Sequence, residues 1–194
     1  MGGHPLPPPA PVAVGGPDTE AHDNLPPQAA VYLNPHFKEA ALADGLERGL
    51  AEARAPAHLV GEGYAQRAGW QAQDEHWIER AARSDFIVSA PGMAALSVAA
   101  VYRKPILLLL TDQPEQAINA QRAAQLGLHH RIVVWQGCSE DFARAVTTAA
   151  HELIALADDG SGPQAAQKGR EAAMARLQHW TVLLHGLAAA PPVR

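Results

Sequence analysis

Residues 84–128 read SDFIVSAPGMAALSVAAVYRKPILLLLTDQPEQAINAQRAAQLGL, and their punctuation decides the fold. Phe86 to Ser89 is a short apolar run, β-branched at its centre and too short for a helix, so a buried strand is expected. Ala90-Pro91-Gly92 breaks it, and Met93 to Tyr102 has helical composition. Pro105 ends that helix, and Ile106 to Leu110 reads as a second buried strand. Thr111-Asp112-Gln113-Pro114 then opens a helix, Glu115 to Leu126, which Gly127 stops in the C-cap position. Strand, helix, strand, helix with short connections predicts an α/β, Rossmann-like parallel sheet flanked by helices.

In such sheets ligands sit at the carboxyl ends of the strands, where loops turn into helix N-termini. Two loops are expected at that edge, Ser89 to Ala94 and Thr111 to Gln116. Gly92 and Met93 begin a helix there, so free N–H groups and the positive end of the helix dipole are available to an anion. The same glycine also serves simply to make a tight turn.

Outward from this stretch the same alternation continues. Gln28 to Leu33 reads as the first strand, Lys38 to Ala53 as a helix with Ala41, Leu42, Leu46 and Leu50 near one face, and Ala57 to Val60 as the next strand. The loop Asn34-Pro35-His36-Phe37 joins the ligand edge, where His36 is either a phosphate donor or a plain surface histidine. Gly61 to Gly69 is loop-like, and Trp70 to Arg83 is expected as a helix with Trp77, Ile78 and Ala81 inward. Asp74-Glu75-His76 are consecutive, so on a helix they diverge and form a solvated face rather than a metal site. His129-His130 precede a strand from Arg131 to Trp135 and point to opposite sides. Ser139 is expected to cap a helix to Asp158 that buries Phe142, Val146, Ala149, Leu153 and Leu156. A last helix, Gln164 to Leu187, carries Met174, Leu177, Trp180, Leu183 and Leu184, an apolar stripe suited to its own sheet, a partner domain or a peripheral membrane surface.

At 194 residues the chain suits one domain with tails. The expected division is residues 1–27 as a disordered Pro/Gly-rich tail or linker, 28–187 as the Rossmann-like domain and 188–194 as a C-terminal tail. Residues 1–27 lack the basic and apolar regions of a secretory signal, and no run approaches the roughly 20 apolar residues of a transmembrane segment. A formal net charge of -5 argues against nucleic acid as a partner, since that footprint needs clustered Lys and Arg. The single cysteine, Cys138, excludes an intrachain disulfide and fits a reducing, cytoplasmic compartment. Cys138 itself reads as a small semi-buried residue at a strand end, with a catalytic role as the alternative.

The order and spacing of these motifs resemble the C-terminal nucleotide-sugar-binding domain of GT-B glycosyltransferases, the group of the lipid II-forming GlcNAc transferase and many UDP-sugar transferases. The resemblance rests on Asp85 opening a strand, Gly92 starting a helix, Lys104-Pro105 preceding the next strand, Glu115-Gln116-Ala117-Ile118-Asn119-Ala120, and the closing Leu126-Gly127. It is closest over residues 84–128 and looser from Ala29 to Asp158. It implies hexosyl transfer from a nucleotide-diphosphate sugar held on backbone amides, with no metal or other cofactor. It further implies that Glu115 and Gln116 bind donor-sugar hydroxyls while Asn119 braces their loop. Without the resemblance, Glu115 and Gln116 are polar residues favoured at any helix start.

The departures are specific. Where the family carries a phosphate-binding Thr or Ser and a ribose-binding glutamate, this chain has Ala95 and Val98. The glycine-containing loop the family often has after the first strand is replaced by Asn34-Pro35-His36, and no catalytic base is identifiable. In this architecture the base comes from an acceptor domain, so the resemblance implies a separate acceptor-binding subunit, as in the two-chain dolichol-linked GlcNAc transferase of eukaryotes. The alternatives are a catalytically inactive GT-B-like interaction or regulatory module, and an α/β enzyme such as an epimerase using His36, Asp112 and Glu115.

Overall fold

The computed structural model describes residues 28–157; the expected N-terminal tail, the Gln164–Leu187 helix and the C-terminal tail lie outside them. Six strands form one sheet: β1 (Ala29–Leu33), β2 (Ala57–Gly61), β3 (Trp70–Gln71), β4 (Phe86–Ser89), β5 (Ile106–Leu110) and β6 (His130–Val134). The helices are α1 (Ala40–Glu52), α2 (Trp77–Arg83), α3 (Met93–Tyr102), α4 (Pro114–Gln125) and α5 (Ser139–Ala157). The strand order is β3-β2-β1-β4-β5-β6, and every pair is parallel. This is the doubly wound, Rossmann-like order, which reverses between β1 and β4.

All of β4 and β5 is buried, as their unbroken apolar sequences require when helices cover both faces. On one face Val31, Leu33, Phe86, Val88, Leu107 and Leu109 meet α1 and α5. On the other, Ala30, Ile87, Ile106 and Leu108 meet α2, α3 and α4. The period of two along each strand divides the core in this way.

α1 and α5 pack side by side at small residues. A Cβ on Gly49 would stand 2.6 Å from the Ala143 carbonyl oxygen and 2.7 Å from Val146 Cβ; one on Gly45 would stand 2.8 Å from the Ser139 carbonyl oxygen. The Thr147 hydroxyl donates to the Gly49 carbonyl at 3.1 Å. The buried side of α1 therefore consists of Leu42, Ala43, Gly45, Leu46, Gly49 and Leu50, whereas Ala41, expected inward, faces solvent.

Four other expectations are corrected. The helix expected over Trp70–Arg83 begins only at Trp77, because Trp70 and Gln71 pair with Leu59 and Val60 as β3. In the resulting short helix Trp77 and Ala81 are buried, but Ile78 is 48% exposed. Ser139 does not cap α5: it is the first helical residue, and its hydroxyl has no hydrogen-bond partner within the described residues. Cys138, expected to be semi-buried, is exposed in the β6–α5 loop. The Gly127 stop does occur, with φ +67°, the left-handed conformation glycine adopts at low cost.

Gly49→Ala tests the helix contact. In an exposed helix this change stabilises by about 1 kcal/mol; here the new methyl meets backbone and Val146, and a net loss of about 1–3 kcal/mol is expected in urea unfolding.

Candidate functional site

The carboxyl edge of the sheet gathers the loops after β1, β4, β5 and β6. At the reversal point Tyr32 of β1 lies in register with Ser89 of β4, and the Ser89 hydroxyl donates to the Tyr32 carbonyl at 2.9 Å. Beyond this tie the two strands lead to opposite faces, β1 into α1 and β4 into α3, leaving the crevice that such a reversal creates.

Gly92 is the N-cap of α3, and no side chain caps that helix. The Gly92 N–H is spent on the Ala90 carbonyl at 2.7 Å, and the first helical bond runs from the Leu96 N–H to the Gly92 carbonyl at 3.1 Å. The amides of Met93, Ala94 and Ala95 are therefore the orphan donors of the helix start. The first turn of α3 contains no acidic residue. A Cβ built on Gly92 finds nothing within 4 Å, and its backbone is extended (φ -86°), so neither crowding nor strain dictates glycine here.

The β5–α4 loop flanks α3. Gln116 is buried, and its Oε1 accepts from the Thr111 N–H at 2.6 Å and the Thr111 hydroxyl at 3.2 Å. Its Nε2 donates to Gln113 Oε1 at 3.2 Å, so both ends of the amide hold the loop. Glu115 is exposed on the first turn of α4, and Asn119 is half-buried one turn further on. Arg122, one turn beyond Asn119, places Nη1 3.2 Å from Sδ of the half-exposed Met93, which sets a guanidinium beside the open end of α3. The sequence reading missed Arg122; a cation one turn beyond Asn119 on α4 was the signal that could have found it.

His36 is exposed in the β1–α1 loop, where its N–H donates to Asn34 Oδ1 at 3.1 Å in an Asx turn. The same loop is anchored from below: the Trp135 indole N–H donates to Glu39 Oε2 at 2.8 Å, and the Tyr64 hydroxyl donates to the Glu39 carbonyl at 3.2 Å. Burial, then the nearby Glu39 charge, pushes the Tyr64 phenol up to about 12, so it stays a donor. Gly63 lets the turn beneath approach, since a Cβ there would stand 2.1 Å from the Phe37 carbonyl oxygen. Gly92, Met93, Glu115, Gln116 and His36 thus lie on loops or first turns of one sheet edge, with Asn119 one turn into α4. Ala95 is buried in the core and Val98 packs against it, so both positions serve the α3–sheet contact.

Two charged groups sit elsewhere. Burial pushes the Lys104 ammonium down, with Asp85 opposing, but Lys104 precedes β5 at the amino edge. Asp74, expected on a solvated helix face, instead lies in the loop before α2 with its side chain 8% exposed. It accepts from the His76 amide at 2.8 Å, His58 Nε2 at 2.7 Å and Arg80 Nε at 2.9 Å. Among the described residues no group of His, Cys, Asp or Glu is placed to hold a metal ion, and no helix is long and apolar enough to cross a membrane.

The architecture and its edge define a Rossmann-like α/β domain whose strand reversal carries an uncapped helix start. No protein-family model matches the chain, and no curated protein does. Among solved structures it is similar to the one described as "Crystal Structure Analysis of the Glycotransferase of kitacinnamycin", with a TM-score of 0.55 and 18% identity over 81% of this chain. The match spans 41% of that structure's length. The fold therefore resembles that of a glycosyltransferase, of which this chain covers less than half.

The Asp74 network predicts an acid-sensitive contribution to stability. The His76 amide first, then His58 and Arg80, hold the Asp74 carboxyl below its ordinary 3.8. A depressed folded-state value stabilises fully above the unfolded value and is lost as pH falls through the folded one. Asp74→Asn is expected to be less stable than wild type at pH 7 in urea unfolding, with the gap closing as pH drops below 3.8.

Proposed function

We propose that this chain is the donor half of a GT-B-type glycosyltransferase, binding a nucleotide-diphosphate sugar at the carboxyl edge and delivering its hexosyl group to an acceptor held by a separate partner subunit. The observation that carries the reading is the uncapped start of α3 at the strand reversal. There three orphan amides and the helix dipole meet a glycine with open space before it. A diphosphate placed there would meet no carboxylate in the first turn of α3 and displace no side-chain cap. Arg122 beside Met93 adds a mobile positive charge for the same oxygens.

In this reading the free amides of Met93, Ala94 and Ala95 hold the diphosphate over the open backbone of Gly92, Glu115 takes sugar hydroxyls, Gln116 fixes the loop that presents it, Asn119 braces that loop, and His36 donates from the opposite rim. The bond between the anomeric carbon and the diphosphate oxygen breaks as the acceptor oxygen bonds to that carbon. The leaving diphosphate keeps the electron pair and is stabilised by amides already in place. The acceptor's proton goes to a base on the partner subunit. Residues 28–187 form the donor domain, residues 1–27 link it onward and 188–194 are a tail, in a cytoplasmic setting consistent with a single cysteine.

The burial of Ala95 and Val98 favours one other reading, an interaction module that keeps the fold without donor binding. Calorimetric titration of the protein with UDP, TDP, GDP and their sugar conjugates separates the two. Saturable binding of one of them is expected, and no binding at millimolar ligand sinks the donor reading. Gly92→Asp sharpens the test: aspartate is a better N-cap than glycine, so the melting temperature should hold or rise slightly. Its charge at the diphosphate position should weaken binding by about tenfold or more.

A further inference from the structure

We infer that Tyr32 is the stacking platform for the nucleobase of the donor, an inference that rests on the donor-half reading and adds to it the recognition of an aromatic base. Tyr32 is the penultimate residue of β1 and is 41% exposed, although its strand is central and its neighbours Val31 and Leu33 are buried. Alternation places its ring on the face shared by Ala30, α2 and α3. Hydration of so large an aromatic surface at the end of a central strand has no structural benefit, and Tyr32 contributes only its carbonyl to the tie with Ser89.

The ring is held in place from behind. It leans on the Trp77 indole at a centroid distance of 5.4 Å and an interplanar angle of 55°. Trp77 is itself buried and fixed, its Nε1–H donating to the Val31 carbonyl at 3.2 Å. A backed aromatic surface loses little freedom when a flat ligand covers it. The other side of the platform borders the candidate site: Tyr32 is in register with Ser89, three residues before Gly92, on a strand about 4.8 Å from its neighbour. An aromatic surface and a cluster of free amides thus share the two strands of the reversal. That pairing suits a ligand with a flat ring at one end and phosphates at the other. Stacking tolerates any base, so Tyr32 supplies affinity for nucleotides as a class and does not select uracil over guanine or thymine.

The test compares two ligands on the full-length protein, the nucleoside diphosphate that binds best and inorganic pyrophosphate. Tyr32→Ala is expected to weaken the nucleotide about tenfold or more while leaving pyrophosphate unchanged, and Tyr32→Phe to retain both. Tyr32→Leu, which keeps apolar bulk against Trp77, guards against a folding defect and should lose nucleotide affinity while its melting temperature stays near wild type. In ligand-observed NMR the base protons should receive the strongest saturation from the wild-type protein and lose it in Tyr32→Leu. If Tyr32→Leu binds the nucleotide as tightly as wild type, or loses nucleotide and pyrophosphate equally, the stacking assignment is wrong while the donor reading stands. If wild type binds neither ligand, the donor reading fails and the assignment falls with it.

Discussion

The packing of α1 against α5 is the constraint on which this structure depends. A sheet whose central strands are apolar on both sides must be covered on both sides, and the face lined by Val31, Phe86, Val88, Leu107 and Leu109 is roofed by these two helices. They close over it because Gly45 and Gly49 let the backbone of α5 come within contact distance. Their approach also brings Trp135, at the end of β6, within reach of Glu39 at the start of α1. The β1–α1 loop, one wall of the crevice, is thereby fixed from the far side of the sheet.

The opposite face is built differently, and the difference matters for the site. There α2, α3 and α4 each cover a strand or two, and α2 is a single short helix. Because α2 starts only at Trp77, the end of β1 stays partly open and Tyr32 remains in water. The carboxyl edge is therefore tied down on the side of α1 and α5 and more exposed where α2 and α3 begin. Ala95 is buried and Val98 partly buried against the same core, so these α3 positions are committed to the sheet, while the first-turn amides and Arg122 lie outside it.

Much of the frame was legible because local chemistry dictated it. Phe86–Ser89 and Ile106–Leu110 are uninterrupted apolar runs bounded by Pro91 and Pro105, and Gly127 marks its helix end by a backbone conformation few other residues adopt. The edge carrying Gly92, Glu115, Gln116 and Asn119 followed from the order of those elements. What escaped the sequence depends on partners far along the chain. Trp70 and Gln71 have a helical neighbourhood but extend because β2 offers an unpaired edge. Asp74 lies before the helix and is bonded to His58, sixteen residues away, and to Arg80, so the expectation of a solvated helix face at Asp74-Glu75-His76 fails at Asp74. Gln116 was legible as a polar residue at a helix start on that edge, but its attachment to Thr111 and Gln113 depends on the curl of the loop.

The bond from Thr147 to the Gly49 carbonyl joins residues 98 apart in sequence, and Trp135 to Glu39 joins residues 96 apart. During synthesis α1 therefore emerges long before the helix it must lie against. The strands from β1 to β5 acquire their α2–α4 cover as they appear, but the side of α1 at Gly45 and Gly49, and the sheet face beside it, have no partner helix until the chain has reached α5. Closure of that long loop comes late and at an entropic cost that only completed packing offsets. A nascent chain stopped short of Phe142 would carry an exposed apolar sheet face, the kind of surface chaperones hold and proteases clear. The contact that makes the finished domain firm is also the one that decides whether an unfinished one survives.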